Sequence, residues 1–103
     1  MGENAGITWT NQEQEKVLVN AIEVWGDRSQ MMMAIEEMGE LLKAFSKLER
    51  GRNSQTISDV IEEVADVTIM MMQMAIMFGG TRVQEVIDRK IERLKRRLGE
   101  VVA

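Results

Sequence analysis

The chain has 103 residues and a formal net charge of −4, with no cysteine, no histidine and no proline. One small domain is the expectation at this length, and disulfides, thiolate metal sites, histidine catalysis, the usual zinc sites and the di-iron bundle with its Glu-x-x-His motif are excluded. The acidic balance gives no sign of a nucleic-acid partner, and a chain rich in Met, Glu, Leu, Ile, Val and Arg favours long uninterrupted helices, so the predicted fold is all-α.

Residues 1–9 read as a loose lead-in. They are polar and small, without the basic region and apolar core of a signal peptide, so a cytoplasmic protein is expected. A first helix is predicted over about 11–25, with a Thr10–Glu13 capping box and Gly26 as its stop. Val17, Ala21 and Val24 form one apolar row, flanked by Leu18, Ile22 and Trp25, and this face is expected to pack inward. A second helix is predicted over about 28–50, with Asp27 as N-cap and Gly51 as its end. Met31, Ala34, Met38, Leu41, Phe45 and Leu48 lie opposite Glu36, while Glu36, Glu40, Lys43 and Lys47 share one stripe at spacings of 4, 3 and 4.

A third helix is predicted over about 55–78, capped by Ser54 and ended by Gly79-Gly80. From Val64 onward it is apolar on nearly every side, interrupted only by Asp66, Thr68 and Gln73. Such a helix is buried or spans a membrane. The unbroken stretch is shorter than the roughly 20 residues a span needs, so burial is expected and no membrane partner. A domain this small can surround that helix best by pairing with another copy. A fourth helix is predicted over about 82–98, with a Thr81–Gln84 capping box and Gly99 as its end. Val83, Ile87, Ile91, Leu94 and Leu98 make one apolar stripe, and the other face is basic. Lys90 and Arg97 flank the stripe; Arg93 points further from it.

The chemistry is concentrated in two acidic clusters, Glu36-Glu37-Met38-Gly39-Glu40 and Glu62-Glu63-Val64-Ala65-Asp66. Successive helical residues are about 100° apart, so each cluster turns three acids into one sector of its helix. Like charges at i,i+4 repel. Glu36 and Glu40 alone read as an ordinary solvated face. Glu63 and Asp66 differ, because they open a nearly all-apolar helix, and a carboxylate drawn from water must be paired, protonated or metal-bound. Magnesium takes an all-oxygen shell and combines carboxylates with phosphates. The expectation is that the two clusters face each other across a helix pair and hold magnesium, or manganese in its place.

The pattern Glu36-Glu37-x-x-Glu40, followed after 22 residues by Glu63-x-x-Asp66, resembles the signature of the MazG-like, all-α nucleotide pyrophosphohydrolases. Trp25-Gly26-Asp27-x-x-Gln30, Glu40-Leu41-Leu42-Lys43-Ala44 and the basic run Lys90-Ile91-Glu92-Arg93 with Arg97 are similar to further parts of that family, so that residues 15–98 fit. The resemblance implies a four-helix bundle completed by oligomerisation as a homodimer or homotetramer. It implies hydrolysis of a nucleoside triphosphate between its α and β phosphates. Glu37, Glu40, Glu63 and Asp66 would be metal ligands, and Glu36 would hold a further metal or activate the water. Gln30, Lys43, Lys90, Arg93 and Arg97 would bind substrate. Two related enzyme classes stay open, the dimeric deoxyuridine-nucleotide hydrolases and the phosphoribosyl-ATP pyrophosphohydrolases. A helical oligomerisation module with merely solvated acids is the non-enzymatic alternative.

Overall fold

The computed structural model describes residues 10–102, so the lead-in expected over 1–9 lies outside the described residues. Four α-helices account for nearly all of them: α1, Gln12–Trp25; α2, Asp27–Arg50; α3, Ser54–Phe78; and α4, Gly80–Val102. No described residue is in a strand, so the chain is all-α. No helix is long and apolar enough to cross a membrane.

The helix starts sit close to the predicted ones, with different caps. Asn11 caps α1: its Oδ1 accepts from the Gln14 backbone N–H at 2.8 Å, and Gln14 Oε1 reaches back to the Asn11 N–H at 3.4 Å. That box replaces the expected Thr10–Glu13 pair. Gly26 ends α1 with φ +91°, a conformation that an L side chain resists, and also occupies the cap position of α2. Asp27 therefore falls inside the first turn of α2, where its charge still suits the helix dipole. Asn53, rather than Ser54, caps α3 through a reciprocal box with Thr56. Gly79, at φ +109°, breaks the chain between α3 and α4. Gly99 does not end α4, which continues to Val102, because one glycine costs a helix only about 1 kcal/mol.

α2 and α3 make the principal antiparallel pair. α1 leans on both, and α4 touches α3 alone. The apolar core is small: Leu18, Ala34, Ala44, Met70 and Ala75. Glu15, Gln30 and Gln73 are buried with it, one from each of α1, α2 and α3. The first helix thus turns Leu18 and Glu15 inward and leaves Val17, Val24 and Trp25 in solvent, contrary to the expected packing of that row. Its apolar sector is wider than two neighbours can cover. α3 is likewise not enclosed, since Ile57, Ile61, Val64, Ile69 and Phe78 are exposed. The radius of gyration is 16.5 Å, against about 13 Å for a compact chain of this length.

Candidate metal centre

The α2–α3 connection sets the register that builds the site. Asn53 and Thr56 close their box at 2.9 Å in both directions, and the Thr56 hydroxyl donates to the Gly51 carbonyl at 2.9 Å. Gly51 in turn donates its N–H to the Lys47 carbonyl at 3.1 Å. With the turn pinned, the helices run back along each other, and Glu37 of α2 comes level with Glu63 and Asp66 of α3. One carboxylate oxygen from each of these three lies within 4.8 Å of the others, while Glu37 and Glu63 are half-buried.

No cation relieves this gathering among the described residues. The one ion pair nearby joins Lys43 Nζ to Glu40 Oε2 at 3.8 Å, at the solvent-exposed rim. Glu63 Oε2 is buried without a hydrogen-bond partner among the described residues. The Glu37 carboxyl is held above the usual carboxylate range by partial desolvation first, then by the charges of Asp66 and Glu63, by a hydrogen bond that its protonated form makes to Asp66, and by Glu40. Glu63 is raised for the same leading reason, followed by Asp66, Glu40, Glu62 and Asp59.

A groove of about 470 Å³ opens beside the three acids. Glu40, Lys43 and Lys47 of α2 line it together with Asp59, Glu62, Glu63 and Asp66 of α3. Of the four expected metal ligands, Glu37, Glu63 and Asp66 converge, and Glu40 stands at the rim instead. Glu36 turns to a different cavity of about 660 Å³, shared with Trp25, Arg28, Met32 and Met33. Trp25 is therefore a cavity wall, 63 % exposed, rather than core. Gln30 is buried in α2 and does not line the groove. Lys43 lines the groove, whereas Lys90, Arg93 and Arg97 are exposed on α4 and line no part of it. Asp59 and Lys47 are groove residues outside the two acidic clusters, and Glu62, inside the second cluster, is a groove residue to which the motif assigns no role. Helical spacing carried the signal, since Lys47 is one turn beyond Lys43, and Asp59 one turn before Glu63.

No protein-family model, no curated protein and no solved structure matches the chain.

Proposed function

We propose that the chain is a magnesium-dependent nucleoside triphosphate pyrophosphohydrolase of the MazG-like kind, converting a nucleoside or deoxynucleoside triphosphate and water to the monophosphate and pyrophosphate. The observation that carries this reading is the convergence of Glu37, Glu63 and Asp66 from two helices to within 4.8 Å, the last two of them lining a groove that also holds two lysines. The donor set fits magnesium. Every donor is a hard carboxylate oxygen, one of them is buried without a partner among the described residues, and two of the acids are pushed toward protonation by partial desolvation and by the charges of their neighbours. When bound, magnesium, or manganese in its place, supplies charge neutralisation at the phosphates and an octahedral template.

The side chains divide the remaining work. Glu37, Glu63 and Asp66 hold the ion, with Glu40 at the rim as a further donor. Lys43 faces the phosphates. Water adds across the α–β anhydride bond, leaving one of its protons to be removed. Glu36 faces a neighbouring cavity rather than the groove, so solvent in the open groove receives that proton. Catalysis of this kind is mostly positioning and neutralisation, which suits a chain with no histidine or cysteine.

Assembly belongs to the same proposal. Ile91, Leu94 and Leu98 lie in solvent along α4, and Ile57, Ile61 and Val64 along α3. Burying each such side chain contributes about 1.5–3 kcal/mol, so a homodimer or homotetramer is the state in which the bundle closes. Lys90, Arg93 and Arg97 would then reach a substrate across subunits. The deciding experiment is a panel of ribo- and deoxyribonucleoside triphosphates with magnesium, scored for pyrophosphate. Release of free phosphate without pyrophosphate overturns the proposed bond cleavage. The exposed faces suit a plain oligomerisation module equally well, and that reading wins if magnesium leaves the melting temperature unchanged.

A further inference from the structure

The fourth helix leaves the body of the molecule part-way along its length. Val83, Val86 and Ile87 are half-covered, but every residue from Asp88 to Val102 is exposed. Ile91, Leu94, Leu98 and Val101 stand on that free segment at spacings of 3, 4 and 3. Such spacing makes the seam of a coiled coil, which needs a facing helix. The segment has none on its own chain. α4 is one unbroken helix from Gly80 to Val102, and the chain has no proline, so the distal half has no kink at which to turn back.

The third helix has the matching vacancy. Ile57, Ile61 and Val64 are exposed near its start, at spacings of 4 and 3. At about 100° per residue, Asp59, Glu62, Glu63 and Asp66 lie on the opposite side of the helix, so a partner on this stripe leaves the metal centre open. Charge then selects the partner. α3 holds four acidic residues and no lysine or arginine, whereas α4 holds seven basic residues against four acidic ones. Lys90 and Arg97 border the α4 seam on one side and Lys95 on the other. Two copies of α4 laid together would set these cations beside one another, and two copies of α3 would join two purely acidic helices. α4 against α3 brings opposite charges together, and residues bordering a seam are what choose partners in coiled coils.

We propose that the chain pairs reciprocally with a second copy of itself, the Ile91, Leu94 and Leu98 stripe of each subunit's α4 lying on the Ile57, Ile61 and Val64 stripe of the other's α3. A two-fold axis makes the same contact twice, so both vacancies on both copies are filled at once. The pairing rests on the assembly reading and names its faces; it is independent of the hydrolase reading.

The chain has no cysteine, so introduced thiols report contacts without background. Ile61, Leu94 and Leu98 are exposed, and replacing them leaves the fold intact. Ile61→Cys, Leu94→Cys and Leu98→Cys are made singly, Ile61→Cys is combined with each of the other two, and all five chains are oxidised and run on non-reducing denaturing gels. A disulfide forms only where the Cα atoms come within about 7 Å. The single variants should stay at the monomer mass of 11.7 kDa, and one of the double variants should run at twice that. The double with Leu94→Cys reports antiparallel helices, and the double with Leu98→Cys parallel ones. Cross-linking of Leu94→Cys or Leu98→Cys alone overturns the pairing in favour of α4 against α4 while assembly stands. A disulfide closed within one chain overturns the second copy as the occupant. No disulfide in either double variant overturns the contact itself. The gel gives these answers whether or not a triphosphate is hydrolysed, so failure here is distinct from failure of the hydrolase reading.

Discussion

Glu63 carries the heaviest burden of any single residue, with a buried oxygen that has no hydrogen-bond partner among the described residues and three acids pressing on it besides its neighbour Glu62. Glu63→Gln removes one of the like charges and leaves the shape. The expected result is a higher melting temperature without metal and loss of the rise that magnesium produces in the unmutated protein, both read by thermal denaturation. The same residues dictate a pH dependence. Glu37 and Glu63 hold protons more tightly folded than unfolded, so the folded chain binds more protons and stability falls as pH rises. The penalty is absent below the ordinary glutamate pKa of about 4.3 and fully present above the raised folded values. Denaturant midpoints measured without metal should drop across that window, and saturating magnesium should flatten the slope. Glu36→Gln should behave differently from Glu63→Gln. Glu36 faces another cavity, so the magnesium-induced shift and pyrophosphate release should both survive.

Among the elements, the α2–α3 hairpin is the part on which the site depends. Its cap is Asn53, and Asn53→Ala should cost about 1 kcal/mol by denaturant titration and lower magnesium affinity with it, because the turn that aligns Glu37 with Asp66 loosens. Much of this hairpin was legible in the residues. The repeated acidic clusters marked two related helices, and Gly51 marked the break between them. What one-dimensional spacing could not decide is which acids meet. Glu36 and Glu37 are equally good candidates until the interhelical seam is known, and the structure turns one inward and the other away. The caps were misread for a similar reason. Thr10 and Asn11 are both competent, as are Asn53 and Ser54, and the choice depends on which backbone leaves the helix first. Buried Glu15 and Gln73 had no signal of their own, since a polar residue on an apolar face reads as a flaw in the pattern until three helices are seen to meet there.

At the scale of the whole molecule, the apolar surface is out of proportion to the core. α4 shows this most clearly: Val83 and Ile87 are half-covered by α3, but Ile91, Leu94, Leu98 and Val101 are left in water as the helix runs on. Light scattering on the purified chain should give at least twice the monomer mass of 11.7 kDa. Ile91→Asp with Leu94→Asp should shift it toward the monomer and, if the basic residues of α4 serve a neighbouring subunit, reduce turnover without changing magnesium binding. The all-α class and the four helices followed from the absence of proline and from the apolar periodicity. How completely one copy covers them did not, because periodicity says which face is apolar and not what lies against it.

The hairpin turn also acts as a ruler. Only three residues, Gly51, Arg52 and Asn53, separate α2 from α3. One residue inserted within α3, between Asn53 and Glu63, would swing Glu63 and Asp66 about 100° around their axis relative to the cap and scatter the donors. An insertion after Gly79 displaces only α4 and leaves the donors where they are. Natural or engineered length variants should therefore be tolerated at the second break and forbidden before the acids of α3, an asymmetry that a scan of single-residue insertions would expose.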